Sequence, residues 1–237
     1  SNTIAGSSTN RVTLDASGSS GAVTLYLDAT SNSVANIKTG SAADNITING
    51  ITSASSGYVI ETNGAADTIN ITTNGDGSTA IININGGTGT DTLILDAGVD
   101  LSSSTLALAA VETIQLKGGG TSQKISASDV SGVGFTLSEA GAGTAVLTVV
   151  ADQTTINLSQ FSFDSSFAVG TDSILVDASE ATSGVTITGT SGNDTITGSN
   201  ANDVITGGDA ADTISGGTGN DTINGGNGAD TLTGGAG

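Results

Sequence analysis

The chain contains no cysteine, histidine, methionine, tryptophan or proline. Without cysteine there is neither a disulfide nor a thiolate site. Without histidine as well, the usual ligands of zinc, copper and haem iron are missing, so any bound metal must be a hard, oxygen-seeking cation. Basic residues are almost absent, with 4 Lys+Arg against 23 Asp+Glu, a formal net charge of -19 over 237 residues. Four cations cannot neutralise a phosphate backbone or hold the chain on an anionic bilayer, which excludes nucleic acid and lipid surfaces as partners. No apolar run approaches the roughly 18 residues that a membrane-spanning helix needs, so no membrane insertion is expected. Sugars, cations and other proteins remain.

Aromatic residues make up 3% of the chain and hydrophobic residues 35%. Such a composition suits many thin layers of Ile, Leu, Val and Ala better than one large core. High acidity with few aromatics also fits a disordered chain, and the argument against disorder is the periodic placement of the aliphatic residues.

That periodicity is strongest from Gly189 onward, where the chain divides without insertion into GTSGNDTIT, GSNANDVIT, GGDAADTIS, GGTGNDTIN, GGNGADTLT and a truncated GGAG. Position one is Gly189, Gly198, Gly207, Gly216 and Gly225. Position six is Asp194, Asp203, Asp212, Asp221 and Asp230, and position eight is Ile196, Ile205, Ile214, Ile223 and Leu232. The glycines permit tight bends that aim carbonyl oxygens at one point, and the Asp closes the turn with a carboxylate. The short β-prone run that follows points its aliphatic residue inward. Two units then form one coil of a flattened parallel roll, right-handed by the crossover rule, with unit i stacked on unit i+2.

Stacking puts Asp194, Asp212 and Asp230 along one edge and Asp203 and Asp221 along the other. Carboxylates about 5 Å apart repel by roughly 3 kcal/mol at an effective dielectric of 20, so such columns call for a shared cation. Carboxylates and turn carbonyls from two coils supply the six or so oxygens that suit Ca²⁺ better than Mg²⁺. The expected ligands are the five Asp together with the turn residues Gly189, Ser191, Gly198, Asn200, Gly207, Asp209, Gly216, Thr218, Gly225 and Asn227. Three complete pairs result: Asp194/Asp212, Asp203/Asp221 and Asp212/Asp230.

Gly189 to Gly237 resembles the nonapeptide repeats of the RTX family of secreted bacterial proteins. The resemblance implies a calcium-loaded parallel β-roll and export by a type I system that reads a C-terminal signal. The match departs from GGxGxD where Thr190 and Ser199 replace the second Gly and where Ala201 and Ala210 replace the fourth, which makes the first two units the weaker sites. The chain stops inside a repeat, at Gly234-Gly235-Ala236-Gly237, and reads as a piece of a longer one.

Upstream, Asp44, Asp67 and Asp91 each follow a Gly (Gly40, Gly64 and Gly89) within a few residues and precede alternating aliphatic residues, and they lie 23 and 24 positions apart. They fit either plain turn residues or a second calcium ladder. A longer cassette also recurs, since Gly89-Thr-Asp91…Asp96-Ala97 matches Gly170-Thr-Asp172…Asp177-Ala178. The expected fold is therefore all-β, an irregular parallel β-solenoid over 1–185 running into a regular roll over 186–237. Val111 to Leu116 and Ala145 to Val150 read as strands, the second more buried, and Leu101 to Ala110 as a short helix. Phe161, Phe163 and Phe167 are expected to fill local core, with a subunit contact as the alternative.

An enzyme is not expected. Every nucleophile–histidine constellation is excluded, and no G-x-S-x-G elbow occurs. A carboxylate-pair hydrolase would need sugar-stacking aromatics that are scarce here, and the Asp columns are better explained by cation binding. The Thr, Ser, Ala, Gly and Asn-rich body without sulfur is most similar to RTX-type S-layer proteins of Gram-negative bacteria. That resemblance implies a secreted subunit of the cell surface that self-associates into a lattice through calcium, with a polysaccharide anchor outside this stretch. The alternative is a module of a large RTX adhesin or exoprotein.

Overall fold

In the computed structural model, residues 2–5, 11–28, 34–51, 57–73, 79–168 and 170–237 are described. The chain folds as two compact units, Ser1–Lys117 and Gly118–Gly237. Both consist of parallel strands laid into solenoid coils, and helix is almost absent.

The first unit contains β1 (Asn2–Ala5), β2 (Arg11–Asp15), β3 (Thr24–Asp28), β4 (Val34–Lys38), β5 (Asn45–Asn49), β6 (Gly57–Glu61), β7 (Thr68–Ile71), β8 (Ile81–Asn85), β9 (Thr92–Leu95), β10 (Thr105–Ala109) and β11 (Thr113–Lys117). Odd-numbered strands stack in the order β1-β3-β5-β7-β9-β11, and even-numbered ones in the order β10-β8-β6-β4-β2. Alternation within each strand sends one set of side chains inward. Ile46, Ile69, Leu93 and Ile114 are in register and fully buried, as are Ile48, Ile71, Leu95 and Leu116. Each such side chain contributes about 1.5–3 kcal/mol of burial, so identical aliphatic columns replace a single large core.

The second unit contains β12 (Gln123–Ser126), one helical turn α1 (Ala127–Val130), β13 (Thr136–Ala140), β14 (Val146–Val150), β15 (Thr155–Asn157), β16 (Ser162–Phe163), β17 (Ser173–Asp177), β18 (Thr186–Thr188), β19 (Asp194–Thr197), β20 (Val204–Gly208), β21 (Thr213–Thr218), β22 (Thr222–Gly226) and β23 (Thr231–Ala236). Its sheets run β12-β14-β17-β19-β21-β23 and β15-β18-β20-β22, with β13 paired to β16. The nonapeptides stack unit i on unit i+2, with Thr195 opposite Thr213 and Thr213 opposite Thr231, and Ile196, Ile214 and Leu232 in one column. The change of repeat length near 185 lies inside this unit, because β17 pairs with β19 and β18 with β20 across it. It marks a shorter coil within one body.

Leu101 to Ala110 is a correction. The segment turns at Leu101–Ser104 and then forms β10, which pairs parallel with β8. Leu106 is buried while Thr105 and Ala107 face outward, so the local period is two and pairing overrides the helical propensity of Leu and Ala. The strand expected over Ala145 to Val150 is β14, with Leu147, Thr148 and Val149 all buried. Phe161 and Phe167 are buried, Phe135 meets Phe161 edge-on and Phe163 stacks on Phe167, so the cluster belongs to the core. A repeated Asx-type turn ends several strands: Ser17, Ser102, Ser166 and Ser179 each donate both N–H and hydroxyl to the Asp two residues earlier.

Candidate calcium-binding turns

Each position-six Asp stands where a turn enters a strand, and from Asp203 onward its carboxylate reaches back to the preceding coil. Asp212 Oδ1 accepts the Asp194 N–H at 2.8 Å, Asp230 Oδ1 accepts the Asp212 N–H at 3.1 Å, and Asp221 Oδ1 accepts the Asp203 N–H at 3.0 Å. All three expected pairs are thus brought together. Asp194, Asp203 and Asp212 are at most 2% exposed. Burial pushes the Asp194 carboxyl up to about 7 and raises that of Asp212 as well, because a charge withdrawn from water is disfavoured.

The second carboxylate oxygen distinguishes the units. Asp212 Oδ2 and Asp221 Oδ2 are buried without any hydrogen-bond partner. Beside each lies a cradle that only glycine leaves open. A Cβ on Gly207 would fall 2.2 Å from Asp212 Oδ2 and 2.5 Å from the Gly225 carbonyl oxygen. A Cβ on Gly216 would fall 2.4 Å from Asp221 Oδ2 and 2.6 Å from the Gly234 carbonyl oxygen. A bare carboxylate oxygen and a carbonyl of the next coil therefore converge on one small space, which is the donor set of a hard cation. Leaving a buried carboxylate oxygen unpaired is otherwise costly.

In the first two units the same convergence stands beside Gly189 and Gly198, but the position-two residue partners both carboxylate oxygens with its N–H and its hydroxyl. Thr190 donates its N–H to Asp194 Oδ2 at 2.6 Å and its hydroxyl to Asp194 Oδ1 at 3.0 Å. Ser199 donates its N–H to Asp203 Oδ2 at 2.7 Å and its hydroxyl to Asp203 Oδ1 at 2.8 Å. The position-three side chains Ser191, Asn200, Asp209, Thr218 and Asn227 are exposed. Asp209 accepts Asn227 Nδ2 at 2.8 Å, and the Thr218 hydroxyl bonds the Asn200 carbonyl at 3.1 Å, tying coil to coil on the solvent side.

Residues 83–101, 186–214 and 206–237 match the family model of the RTX calcium-binding nonapeptide repeat (4 copies). The chain carries RTX calcium-binding repeats. No curated protein and no solved structure matches it. RTX nonapeptide repeats bind calcium, and the open turns at Asp212 and Asp221 offer the oxygens that such an ion requires. Among the described residues no group of three carboxylates converges, so the carbonyls are essential to any such site.

In the first unit, Asp44, Asp67 and Asp91 also form one column. Asp67 Oδ1 accepts the Asp44 N–H at 2.7 Å and Asp91 Oδ1 accepts the Asp67 N–H at 2.8 Å. Burial raises the carboxyls of Asp67 and Asp91. Two related residues were not among the expected ligands, although Asp172 aligns with Asp91 in the recurring cassette. Asp172, 2% exposed, accepts the Ala145 N–H at 2.9 Å and the Ala168 N–H at 2.7 Å, and so uses both oxygens. Glu112 continues the first column, its Oε2 accepting the Asp91 N–H at 2.8 Å. The signal was present, since Val111-Glu112-Thr113-Ile114 repeats Ala66-Asp67-Thr68-Ile69 with one acid for another.

Proposed function

We propose that this chain is part of a calcium-dependent structural subunit of a bacterial surface layer, exported unfolded and assembled outside the cell. The coarser statement stands on the repeats: a calcium-binding structural module of a kind typical of secreted proteins, with no helix long and apolar enough to cross a membrane among the described residues. The observation that carries the proposal is the pair of buried, partnerless oxygens of Asp212 and Asp221. Such carboxylates oppose folding until a cation arrives. Bound calcium would supply positive charge between stacked turns, and in its absence the acidic chain stays open for export.

The body supports a tiling role more than a catalytic one. It is sulfur-free and carries an acidic excess that its few cations do not offset, with Lys38 paired to Glu61 and Lys117 to Asp96. Acidic faces of two copies bridged by further calcium would give lattice contacts whose strength follows the external calcium concentration. Circular dichroism through a calcium titration at the 10⁻⁴–10⁻³ M of extracellular sites, reversed with chelator, tests the folding step. The β signal is expected to rise with calcium and fall with chelator; an unchanged spectrum would defeat the switch. Electron microscopy of the loaded protein tests the assembly, with ordered arrays expected. A strictly monomeric loaded protein would favour a module of a large adhesin or exoprotein.

A further inference from the structure

The outward side of the first unit's even-numbered sheet differs in charge from the rest of the chain. On β4, β6, β8 and β10, inward side chains alternate with side chains that point away from the core. Lys38 and Glu61 are the only charges among these outward residues, and they pair at 2.6 Å, so the face is neutral on a chain of net charge -19. What remains there is aliphatic or uncharged polar. Val34, Gly57, Ile81 and Thr105 follow one another in register across the four strands. Because Gly57 has no side chain to lean on Ile81, that isoleucine stands 53% exposed, and Val34 is 37% exposed. Two residues further along the same strands, Val59, Asn83 and Ala107 are in register and line a hollow of about 240 Å³ with mostly apolar walls. A knob and a hollow thus lie side by side on an uncharged face.

Two copies of so acidic a chain repel, and exposed charges interact over about 8 Å at physiological ionic strength. Approach therefore meets least repulsion through the patch that carries no net charge, which is also where apolar area is offered. An isologous two-fold contact presents the same patch from both copies. With Ile81 and the hollow about 7 Å apart along one strand, each copy can seat its Ile81 in the hollow of the other. A dry space of about 150 Å³ already admits a group the size of benzene, so an isoleucine side chain fits. We propose that this face, centred on Ile81 and the hollow at Val59, Asn83 and Ala107, is a self-association surface whose partner is a second copy of this chain. The four strands cover roughly 300 Å² per copy, about 600 Å² for the pair, against the roughly 1,200 Å² of a stable specific complex. A single pair is therefore weak, and the contact gains strength where many copies are held in an array. Its use in a lattice rests on the surface-layer reading, but unlike the acidic faces it needs no calcium bridge.

Sedimentation velocity on the calcium-loaded full chain, over a series from micromolar to millimolar protein, tests the proposal. The unaltered protein is expected to show a weight-average sedimentation coefficient that rises with concentration. Ile81→Lys removes the knob and adds a charge, and Ala107→Glu blocks the hollow; both positions are exposed, so circular dichroism should show the fold kept. Each is expected to weaken association at least tenfold. Val133→Lys, the same kind of change at an exposed aliphatic residue of the second unit, should leave it unchanged. Association that persists unweakened in both Ile81→Lys and Ala107→Glu would overturn this face while leaving the lattice reading intact, and its release by chelator would assign the contact to calcium-bridged acidic faces instead. A loaded chain that stays monomeric at every concentration would overturn both.

Discussion

The first two nonapeptide units and the last three have the same strands, the same register and the same column of Asp, yet they satisfy those Asp differently. In the first two, Thr190 and Ser199 stand at position two, and each donates twice to its own carboxylate. In the later units Gly208, Gly217 and Gly226 occupy that position with φ of 134°, 104° and 99°. A Cβ on Gly208 would meet the Thr190 carbonyl oxygen at 1.9 Å, so no hydroxyl residue fits there. One turn can therefore close its buried acid in two ways, internally with a hydroxyl or externally with a cation. Charge-assisted hydrogen bonds to a carboxylate contribute about 1.5–3 kcal/mol each. The start of the roll is therefore expected to close without metal, and its continuation only with calcium.

The largest expected effect comes from breaking this division at its two sides. Asp212→Ala should remove the calcium of its own edge while leaving that at Asp221, and cut the calcium-driven gain in β signal, since Asp212 supplies a bare oxygen and also accepts the Asp194 N–H. Asp194→Ala should leave the number of bound ions unchanged and instead lower stability in chelator by about 1–3 kcal/mol, the cost of stranding the Thr190 donors. Equal calcium losses, measured by dialysis, would erase the distinction. A smaller effect in the opposite direction is expected from Thr190→Gly combined with Ser199→Gly. Freeing both carboxylates should add calcium binding, seen as a higher stoichiometry, while making the metal-free protein less stable. A chain that keeps its stoichiometry and its stability would show that the hydroxyls are incidental.

How far the sequence revealed this follows from what each signal encodes. A strict period of nine specifies stacking, and the 18-residue register of β19, β21 and β23 follows from it. The looser coils of the first unit are visible through Asp44, Asp67 and Asp91 because Asp, turn and aliphatic run recur together. Glu112 escapes because it is a different acid, 21 residues beyond Asp91 rather than 23 or 24. Leu101 to Ala110 misleads because its composition favours helix while its pairing with β8 is a long-range fact. Whether a position-two side chain turns toward the carboxylate depends on backbone φ, which neither Thr nor Gly declares by itself. The departures at Thr190 and Ser199 are legible as departures; that they complete the carboxylates is a matter of three-dimensional geometry.

The two kinds of turn also differ in how they should respond to pH. Burial raises the folded-state Asp194 carboxyl to about 7, well above its ordinary value of 3.8. Between those values the folded chain holds a proton that the unfolded chain has released, so the folded state is favoured at the acid end of the window. Stability from this group is complete below the unfolded value and is lost as pH rises through the folded one, at about 1.4 kcal/mol per pH unit for a single proton. The raised carboxyls of Asp67, Asp91 and Asp212 act in the same direction. In chelator, the urea midpoint should therefore fall as pH rises from about 5 to about 7.5. With calcium present the slope should flatten, because a cation beside Asp212 replaces the proton as partner of the carboxylate. A metal-free midpoint that is flat or rises with pH would show that these carboxylates are already stabilised as anions, and that the open turns need no cation.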